Sequence, residues 1–358
     1  MATGARPCRG PCADRPHIAT HEEPAVKTSV LVDRLKQRAT ESRVRVALPD
    51  ALDPRVLEAA REVARLELAS PLLVGDPDGT EVAAKEAGID LDGVAVVDPA
   101  DANRLERSVD RFTSDHPSFP ASASRRMLMD PLYSAAMAVH LGEADAMVAG
   151  LAHPTAEVLM ACHTVLGLAE GIETPSSMFV MEVPNHTGPE GPFLAFADCA
   201  VVTAPTAAQL ADIAIATAAT VGHLGWDPRV ALLSFSTKGS GEDPSVDRVV
   251  EALVMIRDRV PGLEVDGELQ ADAALDLDVA AGKLSDTGAV AGRANVLIFP
   301  DLNAGNIGYK LVQRLCGARA YGPLLQGFAG HVCDLSRGAT LDDIMGSITL
   351  TAVTRASG

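Results

Sequence analysis

A serine, an arginine and an aspartate lie close together near the end of the chain, as Ser336, Arg337 and Asp343. An ionised carboxylate can take a proton from a thiol or hydroxyl, and an arginine can hold a phosphate with two parallel hydrogen bonds. A serine hydroxyl can donate to a developing negative charge. The residues also have a structural interpretation, because Thr340-x-x-Asp343 resembles a capping box in which the carboxylate only stabilises a helix start. Both interpretations stay open from the residues alone.

A second candidate is the segment ANVLIFPDLNAGNIGYKLVQR, which runs from Ala294 to Arg314. It predicts a buried strand ending at Pro300-Asp301, a short loop containing Gly305 and Asn306, and a helix from about Ile307 that carries Lys310. Such a loop can bind an anion, because the first N–H groups of a helix have no partner within the helix. An ordinary strand-to-helix turn of a parallel sheet is the alternative.

The segment SFSTKGSG gives another possible anion-binding turn. A mostly apolar strand ends at Ser236, and Thr237, Lys238 and three small residues lead into a predicted helix. The order G-x4-G-K-[ST] of a Walker P-loop is absent, and no G-x-G-x-x-G follows a predicted strand. The turn therefore lacks either nucleotide-binding motif.

Two sets of possible metal ligands have simpler explanations. Asp266, Glu268, Gln270 and Asp272 alternate along a predicted strand, where oxygen ligands could hold a hard cation. A hydrogen-bond network or a solvated strand edge is the alternative. Near the N-terminus, a zinc site would combine two cysteines with two histidines, but nothing else in that stretch supports one; the residues are Cys8, Cys12, His17 and His21.

The elements that position these residues alternate regularly. From Val30 onward, short apolar strands alternate with helices, which predicts an α/β protein with a parallel, doubly wound sheet. The helix after the first strand should start at Asp53-Pro54, because proline favours the first helical position. We expect a loop over residues 111–120 and one long helix over residues 125–141.

Composition narrows the class of protein. The chain has 358 residues, which suits two domains or one large α/β domain, and a net charge of −18. Such a charge argues against a nucleic-acid partner. No apolar run reaches membrane-spanning length and no secretory signal is evident, so we expect no membrane partner and a cytoplasmic location with reduced thiols.

Several long motifs occur together in one order. They are LLSFSTKGSG, DGELQADAAL, ANVLIFPDLNAGNIGYKLVQRL, GPLLQGF and DLSRG. In this order and at these separations they resemble the phosphate acetyltransferase family, which includes phosphate butyryltransferases and the C-terminal domain of some malic enzymes. The resemblance covers the chain from about Val30 to its end.

The resemblance implies an isocitrate-dehydrogenase-like fold with two α/β/α domains, a cleft between them and usually a homodimer. The corresponding division is a disordered tail over residues 1–29, a first domain over residues 30–170 and 324–358, and a second over residues 171–323. The implied reaction is acetyl-CoA plus phosphate giving acetyl phosphate plus CoA. It implies no metal and no tightly bound cofactor, with coenzyme A and acetyl-CoA as substrates.

The family's roles fall on the residues that match its motifs. Asp343 is the implied base for the CoA thiol, Ser336 stabilises the tetrahedral oxyanion and Arg337 holds phosphate. The remaining residues are implied to bind substrate; they are Arg111, Ser236, Thr237, Lys238, Gly305, Asn306, Lys310 and Tyr321.

The sequence departs from the family in the helix HPTAEVLMACH. Met160 stands where the family has an arginine that binds phosphate, and a methionine cannot do so. His153 and His163 flank it, and each can either bind an anion or pack on the helix. A further family arginine has only a loose counterpart in Arg111, and Arg125 or Arg126 could substitute for it. Cys333 replaces an asparagine of the family motif.

Three functions follow from the resemblance and its departures. The first is phosphate acetyl transfer, favoured by the retained Ser336, Arg337 and Asp343. The second is the same chemistry on another acyl group or acceptor, which the changes around Met160 motivate. The third is a catalytically silent CoA-binding or assembly subunit. A dehydrogenase would share the fold but lacks a nicotinamide-binding motif in this sequence.

Overall fold

The computed structural model describes residues 29–356, and its central feature is one sheet of eleven strands. Residues 1–28 lie outside the described residues, and so do the cysteines and histidines considered as zinc ligands. Ser29, the last residue of the predicted tail, caps the first helix. The strands are β1 (Arg45–Leu48), β2 (Ser70–Val74), β3 (Ala95–Val97), β4 (Ala146–Ala149), β5 (Ser176–Glu182), β6 (Phe193–Ala197), β7 (Arg229–Leu233), β8 (Glu264–Leu269), β9 (Val296–Ile298), β10 (Arg319–Gln326) and β11 (His331–Asp334).

The sheet is mixed, with the order β3-β2-β1-β4-β11-β10-β5-β6-β9-β7-β8. Strands β1 to β4 and β11 form one group of parallel strands, and β6 to β9 form a second. Strands β10 and β5 lie between the two parallel groups. β10 is antiparallel to β11 and to β5, and β5 is antiparallel to β6. The predicted alternation of parallel strands and helices is confirmed within each group. The division into two domains stays a prediction.

Helices connect most of the strands. They are α1 (Val30–Ser42), α2 (Pro54–Arg65), α3 (Pro77–Ala87), α4 (Ala102–Asp115), α5 (Ala121–Leu128), α6 (Pro131–His140), α7 (Thr155–Val165), α8 (Ala207–His223), α9 (Pro244–Arg259), α10 (Ala271–Leu275), α11 (Leu277–Lys283), α12 (Leu302–Cys316) and α13 (Leu341–Ala356).

An Asp-Pro pair starts four of these helices, namely α2, α3, α6 and α9. In each pair the aspartate side chain accepts a hydrogen bond from an N–H group of the first turn, and the proline follows at the start of the helix. Aspartate is a strong N-cap, and proline has no N–H group that the first turn would leave without a partner. The local sequence therefore determines where these four helices begin.

Two expectations about the helices before β4 are wrong. Residues 111–120 are not all loop, because α4 continues through Arg111 and ends at Asp115. The single helix expected over residues 125–141 is two helices, α5 and α6. The break falls at Asp130, which is in an extended conformation and caps the new helix at Pro131.

Helix α13 is deeply buried after its first turn. Its residues from Ile344 to Thr354 are all buried, and it packs against α1, α2 and β10. The contact with β10 is close at Gly346, where an added Cβ would lie 2.3 Å from the ring of Tyr321. A larger residue would force the helix away from the strand. The first turn of α13, which carries Asp343, is thus held firmly against the sheet.

Candidate active site

Ser336 and Arg337 lie in the short connection between β11 and α13. The connection turns tightly, since the N–H of Ala339 donates to the carbonyl of Ser336 at 2.8 Å. Both side chains are exposed, and neither makes a hydrogen bond or ion pair with another residue in the range 29–356. The hydroxyl and the guanidinium are therefore available to a ligand.

Asp343 makes the reciprocal bonds of a capping box with Thr340. The N–H and the hydroxyl of Thr340 both donate to Asp343 Oδ2, at 2.9 and 2.8 Å, and Asp343 N–H donates to Thr340 Oγ1 at 3.3 Å. Asp343 therefore does stabilise the start of α13, as the capping-box interpretation predicts. Because both bonds fall on Oδ2, the other carboxylate oxygen, Oδ1, accepts no hydrogen bond from the described residues and can still receive a proton.

A cavity brings Ser336, Asp343 and Lys310 together from distant parts of the sequence. Its volume is about 230 Å³, below the ~300–1,000 Å³ of typical small-molecule sites. It therefore fits the reacting ends of substrates rather than a whole nucleotide-containing thiol. The other lining residues come from β5, α12, β10, the connection between β11 and α13, and α13 itself; they are Phe179, Tyr309, Gln313, Arg314, Ala320, Gly322, Leu335, Gly338, Ala339 and Ser347.

Two of the three charged residues that line the cavity are basic, and the third is Asp343. Lys310 and Arg314 are exposed on α12 one turn apart, and no acidic side chain in the described range pairs with either. The ammonium of Lys310 lies 5.4 Å from the ring centroid of Tyr309, which stacks on Phe179 with centroids 4.5 Å apart. Two unpaired cations at one cavity can attract an anion even in a protein of net charge −18.

Gln313 and Arg314 line the cavity, but the sequence motifs do not predict either as a site residue. The signal that was available is spacing, because residues four apart on a helix lie on the same face. Arg314 stands four residues after Lys310, so both meet the cavity.

The loop expected at Asn303 to Asn306 is wrong. Asp301 caps α12 by accepting from the N–H of Ala304 at 2.9 Å, so the helix already begins at Leu302. Gly305 packs against the chain after β6, where a Cβ would lie 2.2 Å from the carbonyl of Asp198. These small residues hold α12 close to the sheet.

Asn306 has a similar local contact. Its side-chain amide donates to the carbonyl of Cys199 at 3.0 Å. Neither Gly305 nor Asn306 lines the cavity. Their contacts instead set the position of the helix that carries Lys310 and Arg314.

The turn after β7 is fastened to β8. Ser236 Oγ donates to Glu268 Oε1 at 2.8 Å, and the N–H of Gly239 donates to the same oxygen at 2.7 Å. Burial raises the pKa of Glu268, but these two hydrogen bonds, a bond from its own backbone N–H and the charge of Lys238 together lower it below its usual value. Lys238 donates to the carbonyl of Gly267 at 2.7 Å and pairs with Asp266.

Thr237 also bonds across the turn. It is 3.2 Å from the side-chain oxygen of Gln270, while Asp272 pairs with Lys283 at 2.7 Å. The strand predicted to carry all four polar residues is wrong beyond Leu269, because Gln270 is the N-cap of α10 and Asp272 lies in that helix. The four residues nevertheless form the hydrogen-bond network considered as an alternative to a cation site. Ser236, Thr237 and Lys238 do not line the cavity with Ser336.

Tyr321 and Arg111 also lie away from the cavity lining. Tyr321 is fully buried, and its hydroxyl donates to Glu182 Oε2 at 2.8 Å. Arg111 pairs with Asp115 on α4 at 2.9 Å. Of the possible substitutes for Arg111, Arg125 pairs with Glu106, and Arg126 is exposed.

Buried polar groups meet where β1, β4 and β11 end. Asp50 accepts from the N–H groups of Gly150 and Leu151 at 3.1 and 3.0 Å, and His153 Nδ1 lies 3.2 Å from its other oxygen. Thr155, at the start of α7, donates to Asp334. These bonds join the loop before α7 to the strand that leads into Ser336.

Asp334 is 2% exposed, and its Oδ1 has no hydrogen-bond partner within the described chain. Burial raises its pKa to about 6, against the opposing effect of the bond from Thr155 and with a further increase from nearby Asp50. Met160, farther along α7, is 58% exposed, and His163 is exposed as well. The helix that lacks the family arginine is thus anchored beside the cavity.

The buried thiols are not reactive groups. Burial raises the pKa of Cys162 and of Cys333 to about 12, so both stay protonated at neutral pH. Over residues 29–356, no group of three or more histidine, cysteine, aspartate or glutamate side chains could hold a metal ion. No helix in this part of the chain is long and apolar enough to cross a membrane.

Comparison with known proteins gives similarities over almost the whole described chain. The family model for phosphate acetyl/butaryl transferase matches residues 30–352. The phosphate acetyltransferase of Treponema pallidum is 42% identical over 330 residues, which cover 90% of this chain and 98% of the relative. That of Clostridium acetobutylicum is 41% identical over 326 residues, with coverage of 90% and 98%.

The fold has solved counterparts. A phosphotransacetylase from Streptococcus pyogenes is similar with a TM-score of 0.84 and 36% identity, covering 92% of this chain and 99% of that one. The EutD phosphotransacetylase from Staphylococcus aureus has a TM-score of 0.83 and 33% identity, covering 91% and 98%. These structures confirm the predicted fold class.

Proposed function

The chain belongs to the phosphate acetyl/butaryl transferase family, and we propose that it transfers an acetyl group reversibly between coenzyme A and inorganic phosphate. Acetyl-CoA and phosphate give CoA and acetyl phosphate. The observation that carries the proposal is the cavity in which Ser336, Asp343 and Lys310 meet. A hydroxyl, a carboxylate and a cation are the groups that acyl transfer to or from a phosphate requires.

In the direction of acetyl-CoA synthesis, CoA and acetyl phosphate react to give acetyl-CoA and phosphate. A thiol with a pKa of about 8.5 is mostly protonated at neutral pH, so Asp343 Oδ1 takes the CoA thiol proton. The sulfur attacks the carbonyl carbon of acetyl phosphate and forms the new C–S bond. Negative charge moves onto the carbonyl oxygen, where the Ser336 hydroxyl donates to it. Such a donor contributes about 3 kcal/mol to the transition state.

Collapse of the tetrahedral intermediate breaks the C–O bond to the phosphate group. The phosphate leaves with the electron pair of that bond. Lys310 and Arg314 in the cavity wall stabilise its charge, together with Arg337, which is exposed on the adjoining connection but is not part of the lining. The proton held by Asp343 passes to the departing phosphate or to solvent, which restores the carboxylate. Holding both substrates in one cavity supplies much of the rate, because the reacting atoms are already oriented.

The scheme balances with side chains of this protein and two substrates. It includes no metal and no tightly bound cofactor, and coenzyme A takes part only as a substrate. The cation cluster around the cavity supports phosphate as the acyl acceptor. Cytoplasmic localisation goes with the proposal, because a thiol substrate stays reduced in that compartment.

We also infer a homodimer, and α12 supports it. Three apolar side chains four residues apart are exposed on this helix, with Ile307 at 57%, Leu311 at 52% and Leu315 at 80%. A second copy of the chain would bury this stripe. Light scattering on the purified protein should give the dimer mass, and Leu315→Glu should shift it toward the monomer mass. A wild-type monomer at micromolar concentration would contradict the inference.

The acyl group is tested with a panel of thioesters. Steady-state rates with acetyl-, propionyl- and butyryl-CoA are measured at fixed phosphate, with release of free thiol as the signal. Acetyl-CoA should have the highest kcat/KM. A clear preference for butyryl-CoA would favour the alternative function with another acyl group, which the replacement of the family arginine by Met160 motivates.

A further inference from the structure

The guanidinium of Arg55 connects the start of α2 to the connection that carries Ser336 and Arg337. Its Nη1 donates to the backbone carbonyl of Arg337 at 3.1 Å and to that of Ala339 at 2.9 Å. The contacts join residues far apart in the sequence. Residues 336–340 otherwise form hydrogen bonds among themselves and with α13. Arg55 makes the hydrogen bonds that reach them from the rest of the described chain.

Asp53 fixes the guanidinium in place. Arg55 Nε donates to Asp53 Oδ1 at 3.0 Å, and Nη2 donates to Asp53 Oδ2 at 2.7 Å. The same aspartate caps α2 by accepting from Arg55 N–H at 2.9 Å. The side-chain hydrogen bond from Arg55 lowers the pKa of Asp53, which keeps the carboxylate charged. The arginine is therefore preorganised before any substrate binds.

The two carbonyls that Arg55 holds bracket the turn of the active-site connection. One belongs to Arg337, directly after Ser336, and the other to Ala339, directly before Thr340 and its capping box with Asp343. Fixing both carbonyls fixes the peptide planes that follow Arg337 and Ala339. The first plane adjoins the Cα atom of Arg337, and the hydrogen bond from Ala339 N–H to the Ser336 carbonyl extends the restraint to Ser336.

We propose that Arg55, held by Asp53, is a positioning residue that orients Ser336 and Arg337 relative to Asp343. The inference rests on the proposed acyl transfer, since it concerns the same cavity. Arg55 itself does not line the cavity and acts through the backbone of the connection. Lysine cannot replace it, because an ammonium group lacks the planar fork that bonds a carboxylate and two carbonyls at once.

Arg55→Lys should therefore lower kcat by about 10- to 100-fold, because a displacement of about 1 Å in a catalytic group has effects of this size. The KM for acetyl-CoA should change less than about threefold, since Arg55 does not line the cavity and makes no contact with the substrate in this proposal. A purely structural role would lower the melting temperature and the amount of folded protein without changing kcat per folded molecule.

Arg45→Lys is the matched control. Arg45 makes the same kind of bonds in another place, with Nε and Nη2 each 3.1 Å from the carboxylate of Asp145 and Nη2 2.9 Å from the carbonyl of Gly142. This control should keep kcat within about twofold of the wild type. Asp53→Asn is a second test variant, since asparagine keeps the helix cap but removes the charge that fixes Arg55.

Hydrogen–deuterium exchange provides a measurement independent of turnover. Amides of residues 335–343 should exchange faster in Arg55→Lys than in the wild type, and Arg45→Lys should leave them unchanged. Unchanged exchange there, or a kcat within twofold of the wild type, would overturn the proposal. A wild type that exchanges slowly at this segment but has no turnover would refute the proposed function and leave the structural contact standing.

Discussion

Asp343 is bonded to Thr340 through one carboxylate oxygen and leaves the other free. The backbone N–H and the hydroxyl of Thr340 both donate to Oδ2, at 2.9 and 2.8 Å. Oδ1 belongs to the same carboxylate, which lines the cavity with Ser336. Capping and proton transfer are therefore not exclusive roles for this residue. The cap orients the carboxylate, and we infer that the free oxygen acts as the base.

Asp343→Asn should lower kcat by about 10²–10⁴-fold, the usual contribution of general-base catalysis. Asparagine keeps an oxygen that can accept from Thr340, so the helix cap should survive and the free energy of unfolding should change by less than about 1 kcal/mol. Steady-state rates and urea unfolding measure the two effects.

Thr340→Ala serves as the comparison for Asp343→Asn. It removes the capping hydroxyl and should cost about 1 kcal/mol of stability, with a much smaller loss of kcat. If Asp343→Asn instead melts early and keeps its rate per folded molecule, Asp343 is only a cap.

Met160→Arg should lower the apparent KM for phosphate by about tenfold. A hydrogen bond to a charged group stabilises by about 1.5–3 kcal/mol, and 1.4 kcal/mol corresponds to a factor of ten. Met160 is exposed on α7, whose first residue Thr155 is bonded to Asp334 beside the cavity. Met160→Leu is the control and should leave KM unchanged. An unchanged KM in the arginine variant would mean that another residue already holds the phosphate.

Arg314→Gln should raise the apparent KM for phosphate by about tenfold, because it removes one of the unpaired cations of the cavity wall. The double variant with Lys310→Gln should have a larger effect. Arg293→Gln removes an exposed arginine outside the cavity lining and should not change KM. Equal KM values for Arg314→Gln and Arg293→Gln would remove Arg314 from the proposed site.

Asp334→Asn should change how stability depends on pH. The folded protein holds a proton on Asp334 up to a pKa of about 6, whereas an unfolded aspartate releases it near 3.9. Wild-type stability from this group is therefore present below pH 4 and is lost as the pH rises to about 6. At 1.36 kcal/mol for each pKa unit, the loss is about 3 kcal/mol.

The variant avoids that loss because asparagine does not titrate. Its free energy of unfolding should equal that of the wild type near pH 4 and exceed it by about 1–3 kcal/mol at pH 7.5. Urea unfolding at both pH values measures the difference. A difference that is the same at both pH values would show that Asp334 does not titrate as described.

Local signals in the sequence predicted most of the fold. Asp-Pro pairs mark helix starts, and short apolar runs mark buried strands, because caps and burial act over a few residues. A local signal can also mislead, as at the start of α12. The sequence predicts Asp301 as the end of a strand, whereas its side chain caps the helix that begins at Leu302.

The site was harder to predict than the fold. The motifs identified Ser336, Asp343 and Lys310, which the cavity brings together. They also included Ser236 and Gly305, whose contacts hold elements together outside the cavity lining. Sequence motifs do not separate residues that bind a ligand from those that position a helix. Which face of α12 meets β10, and hence the place of Arg314, is decided by tertiary packing.

The most direct measurement is the release of free thiol from acetyl-CoA by the purified protein, with and without inorganic phosphate. The account predicts rapid release that requires phosphate, accumulation of acetyl phosphate in equal amount, and loss of the activity in Asp343→Asn. Binding of acetyl-CoA without phosphate-dependent thiol release would contradict it. That result would leave a catalytically silent CoA-binding protein or an enzyme for another acyl group or acceptor.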